Sequence, residues 1–429
     1  MQTTFTPEQL RDPAIQEADG ILRKCVHCGF CTATCPTFVL RGDELDSPRG
    51  RIYLIKDMLE NDKPASDKVV KHIDRCLSCL SCMTTCPSGV DYMHLVDQAR
   101  TRIEQNYRRP LADRLLREML ARVMPYPGRF RAAMAAARLG KPFAGVLPER
   151  LRGMLKFAPA ALPAATPANR PGRFPAQGAR RKRVALLQGC VQPALDPAIN
   201  DATVRLLTRL GVEIVAPPDA GCCGALVHHL GKEDDGRAFA RANVAAWMRE
   251  IEGEGLDAIV VNASGCGTMV KDYGHFLQHD AEWADRAARV SALTRDVSEF
   301  LTDLDLPPGD PARVAGVTVA YHSACSLQHG QRVRTQPKDL LARAGFVVKD
   351  VPESHLCCGS AGTYNLMQPE LAGQLLARKC ANIESVQPDV IAAGNIGCMT
   401  QIAQGTQVPI VHTVQLLDWA LGGERPAGV

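Results

Sequence analysis

The chain of 429 residues has a net charge of +4, 46% hydrophobic residues and 17 cysteines, and it is long enough for two or three domains. No run of about 20 apolar residues occurs, so we expect no membrane-spanning helix. The amino-terminal stretch MQTTFTPEQLRDP lacks the basic and apolar regions of a secretory signal, which predicts a cytoplasmic protein with reduced cysteines.

Short helical patterns dominate the first 110 residues. Residues 14–24 predict a helix that leads into the first cysteine run. Asp46-Ser47-Pro48 has the capping side chain and first-turn proline of another helix start. Residues 92–103 repeat apolar side chains at helical spacing. We therefore predict a helical domain over residues 1–110 rather than a small β-rich ferredoxin.

Two cysteine runs in this domain share the spacing C-x₂-C-x₂-C-x₃-C-P. Such runs hold iron–sulfur clusters by thiolates, and in two-cluster ferredoxins the fourth Cys of each run ligates the other cluster. Zinc sites use separated C-x₂-C pairs instead, so zinc knuckles or disulfides fit this spacing less well. We expect two [4Fe-4S] clusters, one held by Cys25, Cys28, Cys31 and Cys86 and the other by Cys76, Cys79, Cys82 and Cys35.

Residues 111–183 are predicted to connect this domain to the rest of the chain. A helical pattern covers residues 114–123, and Pro and Ala accumulate from Pro159 to Pro175. Between residues 131 and 183 there are 12 Lys or Arg and one acid, a net charge of +11. Such a block is typical of contact with an anionic membrane surface or an acidic partner, and a solvated linker is the alternative.

The basic block does not predict a nucleic-acid partner. Neither aromatic interleaving nor a DNA-reading motif accompanies it.

Three arginines, Arg41, Arg49 and Arg51, follow the first cysteine run. They either lie near the clusters, where they shape the reduction potentials or a docking face, or they are solvated residues at helix ends.

The remainder of the chain is an internal repeat, predicted as two lobes over residues 184–305 and 306–429. Cys190, Cys222-Cys223-Gly224 and Cys266 recur as Cys325, Cys357-Cys358-Gly359 and Cys398, at offsets of 135, 135 and 132 residues. Apolar strand patterns at 184–188, 211–215 and 258–262 recur at 317–321, 345–348 and 390–393, with helical patterns between them.

Strands that alternate with helices predict a parallel, doubly wound sheet in each lobe. Every repeated Cys then follows the carboxyl end of a strand, which is the edge where open α/β sheets bind their ligands. The predicted fold class is therefore α+β multidomain: a helical two-cluster domain followed by two α/β lobes that face each other across a pseudo-two-fold axis.

Four cysteines per lobe can converge as thiolates. An iron–sulfur centre in at least one lobe, a zinc site, and reduced buried cysteines without metal are the open interpretations. The candidate ligands are Cys190, Cys222, Cys223 and Cys266 in the first lobe, and Cys325, Cys357, Cys358 and Cys398 in the second. Nearby histidines, each more often a structural residue, are His228, His229, His322, His329 and His355. Cys380 has no counterpart in the first lobe and is expected to fill the core.

Motifs for organic cofactors are absent from the sequence. We find no P-loop, no nucleophile elbow and no G-x-G-x-x-G that follows a strand. The chain is therefore not expected to bind flavin or NAD itself.

Two stretches carry a family resemblance. The first run, Cys25-Val-His-Cys-Gly-Phe-Cys-Thr-Ala-Thr-Cys-Pro36, continues through Gly42-Asp-Glu-Leu-Asp-Ser-Pro-Arg-Gly-Arg-Ile-Tyr53. Together with the paired Cys-Cys-Gly domains, they make the sequence resemble, along essentially its whole length, the iron–sulfur subunits of bacterial glycolate oxidases, or glycolate dehydrogenases. The wider group includes heterodisulfide reductase B subunits, lactate-utilisation proteins and the C subunit of anaerobic glycerol-3-phosphate dehydrogenase.

The resemblance implies an electron-transfer subunit that is inactive toward glycolate in isolation. Partner subunits that contain FAD would oxidise glycolate to glyoxylate, and the electrons would pass through the two cubanes toward a quinone or another acceptor at the inner face of the cytoplasmic membrane. The equivalent subunit of a lactate or glycerol-3-phosphate dehydrogenase is an alternative, and so is a heterodisulfide-reductase-like enzyme. Those reductases often end on C-x-x-C, and Cys266 and Cys398 lack that second Cys, which argues against disulfide reduction.

Overall fold

The amino-terminal domain is built from helices. The computed structural model describes residues 1–146, 154–159 and 161–429, and residues 1–110 contain no strand. The helices are α1 Pro13–Lys24, α2 Phe30–Ala33, α3 Pro36–Arg41, α4 Pro48–Glu60, α5 Asp67–Asp74, α6 Ser81–Thr85 and α7 Tyr92–Asn106. The three helices predicted from the sequence are confirmed as α1, α4 and α7.

Local sequence explains how these helices begin and pack. The Ser47 side chain accepts a hydrogen bond from the Gly50 N–H, and Pro48 occupies the first helical position of α4, as the sequence predicted. The apolar face predicted for α7 is buried along its whole length. Its side chains pack with those of α1, α4 and α5 into the core of this domain.

The described part of the connector begins with two helices, where the sequence predicted one. They are α8 Leu111–Val123 and α9 Pro127–Gly140, followed by 3₁₀ turns at Lys141–Val146 and Pro167–Asn169. The α9 sequence is rich in alanine, which favours helix without marking an apolar face, so the periodicity did not reveal it. The part of the basic segment at 147–153 and 160 lies outside the described residues. Within the described residues, no helix is long and apolar enough to span a membrane.

Each lobe contains the predicted parallel sheet. The strands are β1 Gly172–Phe174, β2 Lys182–Leu187, β3 Val212–Ala216, β4 Ala258–Val261 and β5 Thr294–Asp296 in the first sheet, and β6 Thr318–His322, β7 Val347–Asp350, β8 Val390–Ala393 and β9 Ile410–His412 in the second. The strand orders are β1-β3-β2-β4-β5 and β7-β6-β8-β9, and among the strands of the described residues β1 is the one that pairs antiparallel. The short strands β1, β5 and β9 were not predicted, because three residues are too few to show a period.

Helices cover both faces of these sheets. They span Gln192–Leu195, Ala198–Arg209, Ala225–His229, Glu233–Glu252, Ser264–Lys271, Tyr273–Phe276, Ala284–Leu293, Val297–Asp303, Pro311–Val314, Gln336–Arg343, Tyr364–Met367, Pro369–Glu384, Ile396–Ile402 and Thr413–Ala420, with a π turn at Ser326–Gly330. The first long helix of each lobe packs on the last helix of the other lobe. This reciprocal packing buries one apolar core shared by both lobes, as expected for a pseudo-two-fold pair.

The amino-terminal domain docks on the first lobe through a partly buried group of titratable side chains. His94 hydrogen-bonds to Asp91 and, across the interface, to Asp272. The ring of His275 stacks on that of His94 at 3.5 Å and hydrogen-bonds to Glu17. Burial alone would lower the pKa of His94, but the carboxylates of Asp272 and Asp91 outweigh it and raise the pKa to about 10. Protonated His94 thus holds the two domains together.

This interface predicts a pH-dependent stability. A pKa of about 10 in the folded state lies above the ordinary value of 6.5, so the stabilisation is complete below about pH 6.5 and is lost as the pH rises toward 10. We expect the variant His94→Gln to lower the thermal midpoint of the anaerobic protein strongly at pH 6.5 and only slightly at pH 10. The exposed His279, replaced in the same way, is the control. A difference that does not change with pH would contradict the assignment.

Candidate metal centres

The two cysteine runs fold into loops with the same unusual backbone. His27 and Gly29 flank Cys28 with positive φ angles of 57° and 85°, and Ser78 and Leu80 flank Cys79 with 49° and 61°. Residues other than glycine rarely adopt this backbone conformation, and those that do are often found at functional sites. The bend on each side of the middle Cys turns the three sulfurs of a run toward one point.

The first predicted set lies near the surface. Cys25, Cys28, Cys31 and Cys86 line one cavity of about 30 Å³, closed below by Tyr92 and other apolar side chains. Cys28 is exposed. Its neighbours Val26 and Phe30 are 65% and 62% exposed. The structure therefore places this set beneath an apolar surface patch.

The second predicted set is buried. Cys35, Cys76, Cys79 and Cys82 are each at most 8% exposed. Burial, followed by neighbouring thiolates, raises the pKa of Cys79 and Cys82 well above the usual value. Four buried thiolates can lie next to one another only if positive charge compensates their negative charge. The donor set therefore fits an iron–sulfur cluster. Cys82 lies close enough to Cys79, Cys76 and Cys35 for their charges to interact, and close to Cys31 of the first set as well. The assignment of individual cysteines to each cluster therefore stays a prediction.

A buried arginine lies beside the second set. The Arg51 guanidinium donates to the Thr37 hydroxyl and approaches the Cys35 Sγ at 3.8 Å, and it pairs with the buried Asp46. Burial alone would lower the pKa of Arg51, but the acidic groups of Cys76, Tyr92, Cys35 and Asp46 raise it. Arg51 is therefore a fixed positive charge next to the cluster, whereas Arg41 pairs with Asp46 from a more exposed position.

The first lobe gathers its four cysteines at the carboxyl edge of its sheet. Cys222 lies beside Cys190 and Cys223, and Cys223 lies beside Cys266, close enough for their side chains to interact. Gly224 closes the loop with a φ angle of 86°, and a Cβ there would lie 2.9 Å from the carbonyl oxygen of Gly236 in the helix Glu233–Glu252. The glycine is thus required for the backbone turn and for close packing.

The second lobe repeats this arrangement. The Sγ atoms of Cys325 and Cys357 are 3.8 Å apart, and Cys358 contacts both Cys357 and Cys398. Gly359 has a φ angle of 90°, and a Cβ there would meet a helix carbonyl oxygen at 2.6 Å. In both lobes the glycine N–H points to the sulfur of the first Cys of the pair, at 3.4 Å.

One histidine breaks the symmetry between the lobes. His322 ends β6 with one ring nitrogen within 4.8 Å of the Cys358 and Cys398 sulfurs. Both of its ring nitrogens are buried without a hydrogen-bond partner, and burial lowers its pKa to about 3. A neutral, unpaired imidazole beside thiolates is a good metal ligand. The equivalent position in the first lobe is Leu187, so among the described residues only the second lobe has a histidine at this strand end beside its cysteines.

The other residues named from the sequence have structural partners. His329 hydrogen-bonds to Thr84 of the amino-terminal domain, and His228 pairs with Asp97 of α7. His229 lies near Asp97 as well, at 3.9 Å, and His355 is half-buried next to the second lobe's cysteines. Cys380 is buried in the core. The sequence gives no reason to rank one of these histidines above the others. His322 differs from them in the structure, because both of its ring nitrogens are buried without a hydrogen-bond partner.

The cysteine sets form one continuous row. Cys82 of the second set lies close enough to Cys31 of the first for their charges to interact. Cys79, in turn, packs against Cys325 and Cys357 of the second lobe. Sulfur ligands therefore extend from the exposed patch around Cys28 through the buried second set to the lobes.

Comparison with known proteins agrees with this architecture. Residues 24–90 match the 4Fe-4S dicluster domain family, and residues 184–271 and 319–403 match the family described as cysteine-rich domain. A crystal structure of a hypothetical protein from Helicobacter pylori shares the fold, with a TM-score of 0.54 and 10% identity over 98% of this chain and 74% of that one. The fold and the sites thus define an iron–sulfur protein with a dicluster domain and two cysteine-rich domains.

Full-length relatives identify the family. The glycolate oxidase iron-sulfur subunit of Escherichia coli (strain K12) is 46% identical over 99% of this chain and 100% of its own. The probable glycolate oxidase iron-sulfur subunit of Bacillus subtilis (strain 168) is 34% identical over 98% and 99%. Lactate utilization protein A of the same organism is 27% identical over 55% of this chain and 99% of its own. The chain belongs to the family of glycolate oxidase iron–sulfur subunits.

The position of Arg51 predicts an effect on reduction potential. A positive charge stabilises the reduced cluster, so Arg51→Gln should lower the potential of the buried cluster by tens of millivolts, on the order expected for one charge at this distance. Redox titration followed by electron paramagnetic resonance measures it. Arg41→Gln removes a charge that pairs with the same Asp46 and should shift the potential less. Equal shifts of the reduction potential in both variants would show that the pairing with Asp46, and not the contact between Arg51 and the Cys35 sulfur, determines the potential.

The asymmetry of the lobes predicts a metal that depends on His322. In His322→Leu, which installs the first lobe's residue, we expect the metal affinity of the second lobe to fall by about tenfold or more. Iron and zinc per chain, measured by mass spectrometry after anaerobic purification, should then fall while the dicluster signals persist. His355→Leu in the same lobe is the control. If both variants keep the full metal content, His322 is a packing residue.

Proposed function

We propose that the chain is the electron-transfer subunit of a glycolate oxidase complex. Partner subunits with FAD oxidise glycolate to glyoxylate, and this chain carries the electrons through two [4Fe-4S] clusters toward a quinone or another membrane acceptor. The observation that carries the proposal is the full-length match to glycolate oxidase iron-sulfur subunits, combined with a row of buried cysteine sets. The isolated chain is inactive toward glycolate.

The substrate assignment rests on coverage as well as on identity. The lactate utilization relatives match 55% of this chain at 25–28% identity, whereas the glycolate oxidase relatives match nearly all of it. The glycolate oxidase relatives thus extend over both the cluster domain and the lobes, whereas the lactate utilization relatives extend over about half of the chain. This difference in coverage favours glycolate over the alternatives.

The ligand sets and the domain bounds are part of the proposal. We assign Cys25, Cys28, Cys31 and Cys86 to the outer cluster and Cys76, Cys79, Cys82 and Cys35 to the inner one. The domains span residues 1–110, 184–305 and 306–429, joined by a connector at 111–183. The strand β1 of the connector pairs with β3, which ties the connector to the first lobe.

Electrons enter at the outer cluster in this proposal. The patch of Val26, Phe30 and Tyr53 around it is apolar and exposed, and exposed apolar clusters commonly mark protein interfaces. A flavoprotein docked there would bring its cofactor next to the shallow cysteine set. From that point the row of sulfur ligands leads inward, away from the surface.

The connector is proposed as the membrane contact on the inner face of the cytoplasmic membrane. Five of its side chains are large, apolar and exposed, namely Leu111, Leu115, Met119, Tyr126 and Leu139. Arginines accompany them, and Arg129 stacks on the Tyr126 ring at 4.1 Å. Apolar residues flanked by Arg are typical of helices that lie on an anionic membrane surface.

The decisive test compares cells with and without the gene. We expect glycolate-dependent reduction of a dye to disappear on deletion and to return on re-expression, while lactate oxidation is unchanged. Extracts assayed under anaerobic conditions give both rates. Glycolate oxidation that survives the deletion would refute the substrate assignment.

A second arm of the experiment tests the docking patch. Re-expression of Phe30→Glu should restore little glycolate activity, because a charge at the centre of an apolar interface is costly. Val347→Glu places the same charge on another exposed apolar residue, 48% exposed at the edge of the second sheet, and should restore activity fully. The iron content of the Phe30→Glu variant is measured as well. A normal iron content with low activity indicates lost docking, whereas a low iron content indicates lost clusters.

A further inference from the structure

A large cavity lies where the two lobes and the connector meet. Its volume is about 490 Å³, within the range of small-molecule binding sites. The loops that carry the last cysteines of the lobes form its floor, and they bond to each other across the pseudo-two-fold axis through Asn395 and Ser264. Ser78, next to Cys79 of the buried cluster set, lies on the wall.

The cavity includes candidate metal sites of the lobes and extends beyond them to the apolar residues of α8 and α9. The cavity inside the first cysteine set measures about 30 Å³ by the same measure, an order of magnitude less. Cys266 and Cys325, one from each lobe, are only partly buried and border the large cavity. Cysteine sulfurs of both lobes thus face a volume that can hold a further molecule.

The walls of the cavity are apolar on the connector side. They comprise Met119, Leu120 and Val123 of α8, Met124 directly after it, and Phe130, Ala133, Met134 and Ala137 of α9. Polar side chains, among them His229, Asn365 and Asn395, line the cavity together with the cysteines. The Nδ1 atom of His229 makes no hydrogen bond and lies 3.9 Å from the Asp97 carboxylate. The cavity therefore suits a molecule with one apolar end and one end that accepts hydrogen bonds.

The same cavity reaches the exposed apolar surface of the connector. Met119 lines the cavity and is also 40% exposed. Leu115, one helical turn before it, is 58% exposed. Met119 thus joins the wall of the cavity to the exposed apolar surface that is proposed to touch the membrane.

We infer that this cavity is the binding site of a lipophilic quinone. The quinone ring lies near the cysteines of both lobes with its oxygens toward His229 and the asparagines, and its isoprenoid tail follows α8 and α9 to the surface. The inference rests on the proposed function, since oxidation of glycolate to glyoxylate releases two electrons and two protons. The quinone takes up both electrons, delivered through the cysteine-held centres, and two protons, and leaves as quinol.

The test uses two matched substitutions on α9 in the complete complex with its flavoprotein partners. Ala137→Phe fills the cavity, whereas Ala136→Phe places the same side chain on the exposed face of the same helix. We expect Ala137→Phe to raise the KM for decylubiquinone about tenfold or more, a loss of about 1.4 kcal/mol of binding. Ala136→Phe should leave it unchanged, and glycolate-dependent dye reduction should persist in both.

A binding measurement without turnover completes the test. A photoreactive azido-quinone, cross-linked to the wild-type complex and mapped by peptide mass spectrometry, should label α8 or α9, and Ala137→Phe should abolish the label. Label elsewhere, or an unchanged KM in Ala137→Phe, would overturn the cavity assignment while glycolate-dependent dye reduction still supported the proposed function. A wild-type complex without glycolate-dependent dye reduction would refute that function, and the label would still report on the cavity.

Discussion

The concentration of buried thiolates is the constraint on which the rest of the structure depends. Desolvation and mutual repulsion raise the pKa of Cys79 and Cys82, so the ionised set is stable only around positive metal ions. The left-handed residues in both loops supply the geometry, and Arg51 supplies additional positive charge close to the sulfurs. Folding of the amino-terminal domain and assembly of its clusters are therefore coupled, since the loops have little other reason to adopt this backbone.

Duplication explains the architecture of the lobes, and divergence explains what each copy can do. Reciprocal helix packing fuses the two sheets into one core, which brings their carboxyl edges face to face. Each edge keeps the Cys-Cys-Gly turn, because the glycine packs against a long helix of the same lobe, Glu233–Glu252 or Pro369–Glu384. Only one copy places a histidine at the end of its first strand, where the other has Leu187. The shared turn maintains the fold, and the difference at that position adjusts the donor set.

How much the sequence predicted depended on the kind of signal. Spacing within a run, such as Cys25 to Cys35, is local and survives folding, so the cysteine sets and the repeat could be found. Helices with an apolar face, such as α7, were found for the same reason. Helix α9 was missed because alanine marks no face, and β5 and β9 because they are too short. His322 could not be ranked above His355, since its lack of partners is a property of packing. The cavity involves the connector and both lobes, and no local pattern encodes such a junction.

The order of these sites along the molecule separates entry from exit. The outer cysteine set is shallow and surrounded by apolar surface, whereas the inner set is sealed from solvent, and the lobes beyond it open into an apolar cavity. A protein that only stored electrons would not need both an exposed apolar surface at the outer cysteine set and an apolar cavity at the lobes. The proposed docking patch at one end and the apolar cavity at the other fit the electron transfer that we propose, from a partner dehydrogenase to a lipophilic acceptor. The sealed inner set between them keeps water and small oxidants away from the electrons in transit, because burial limits access to the centres as well as shaping their potentials.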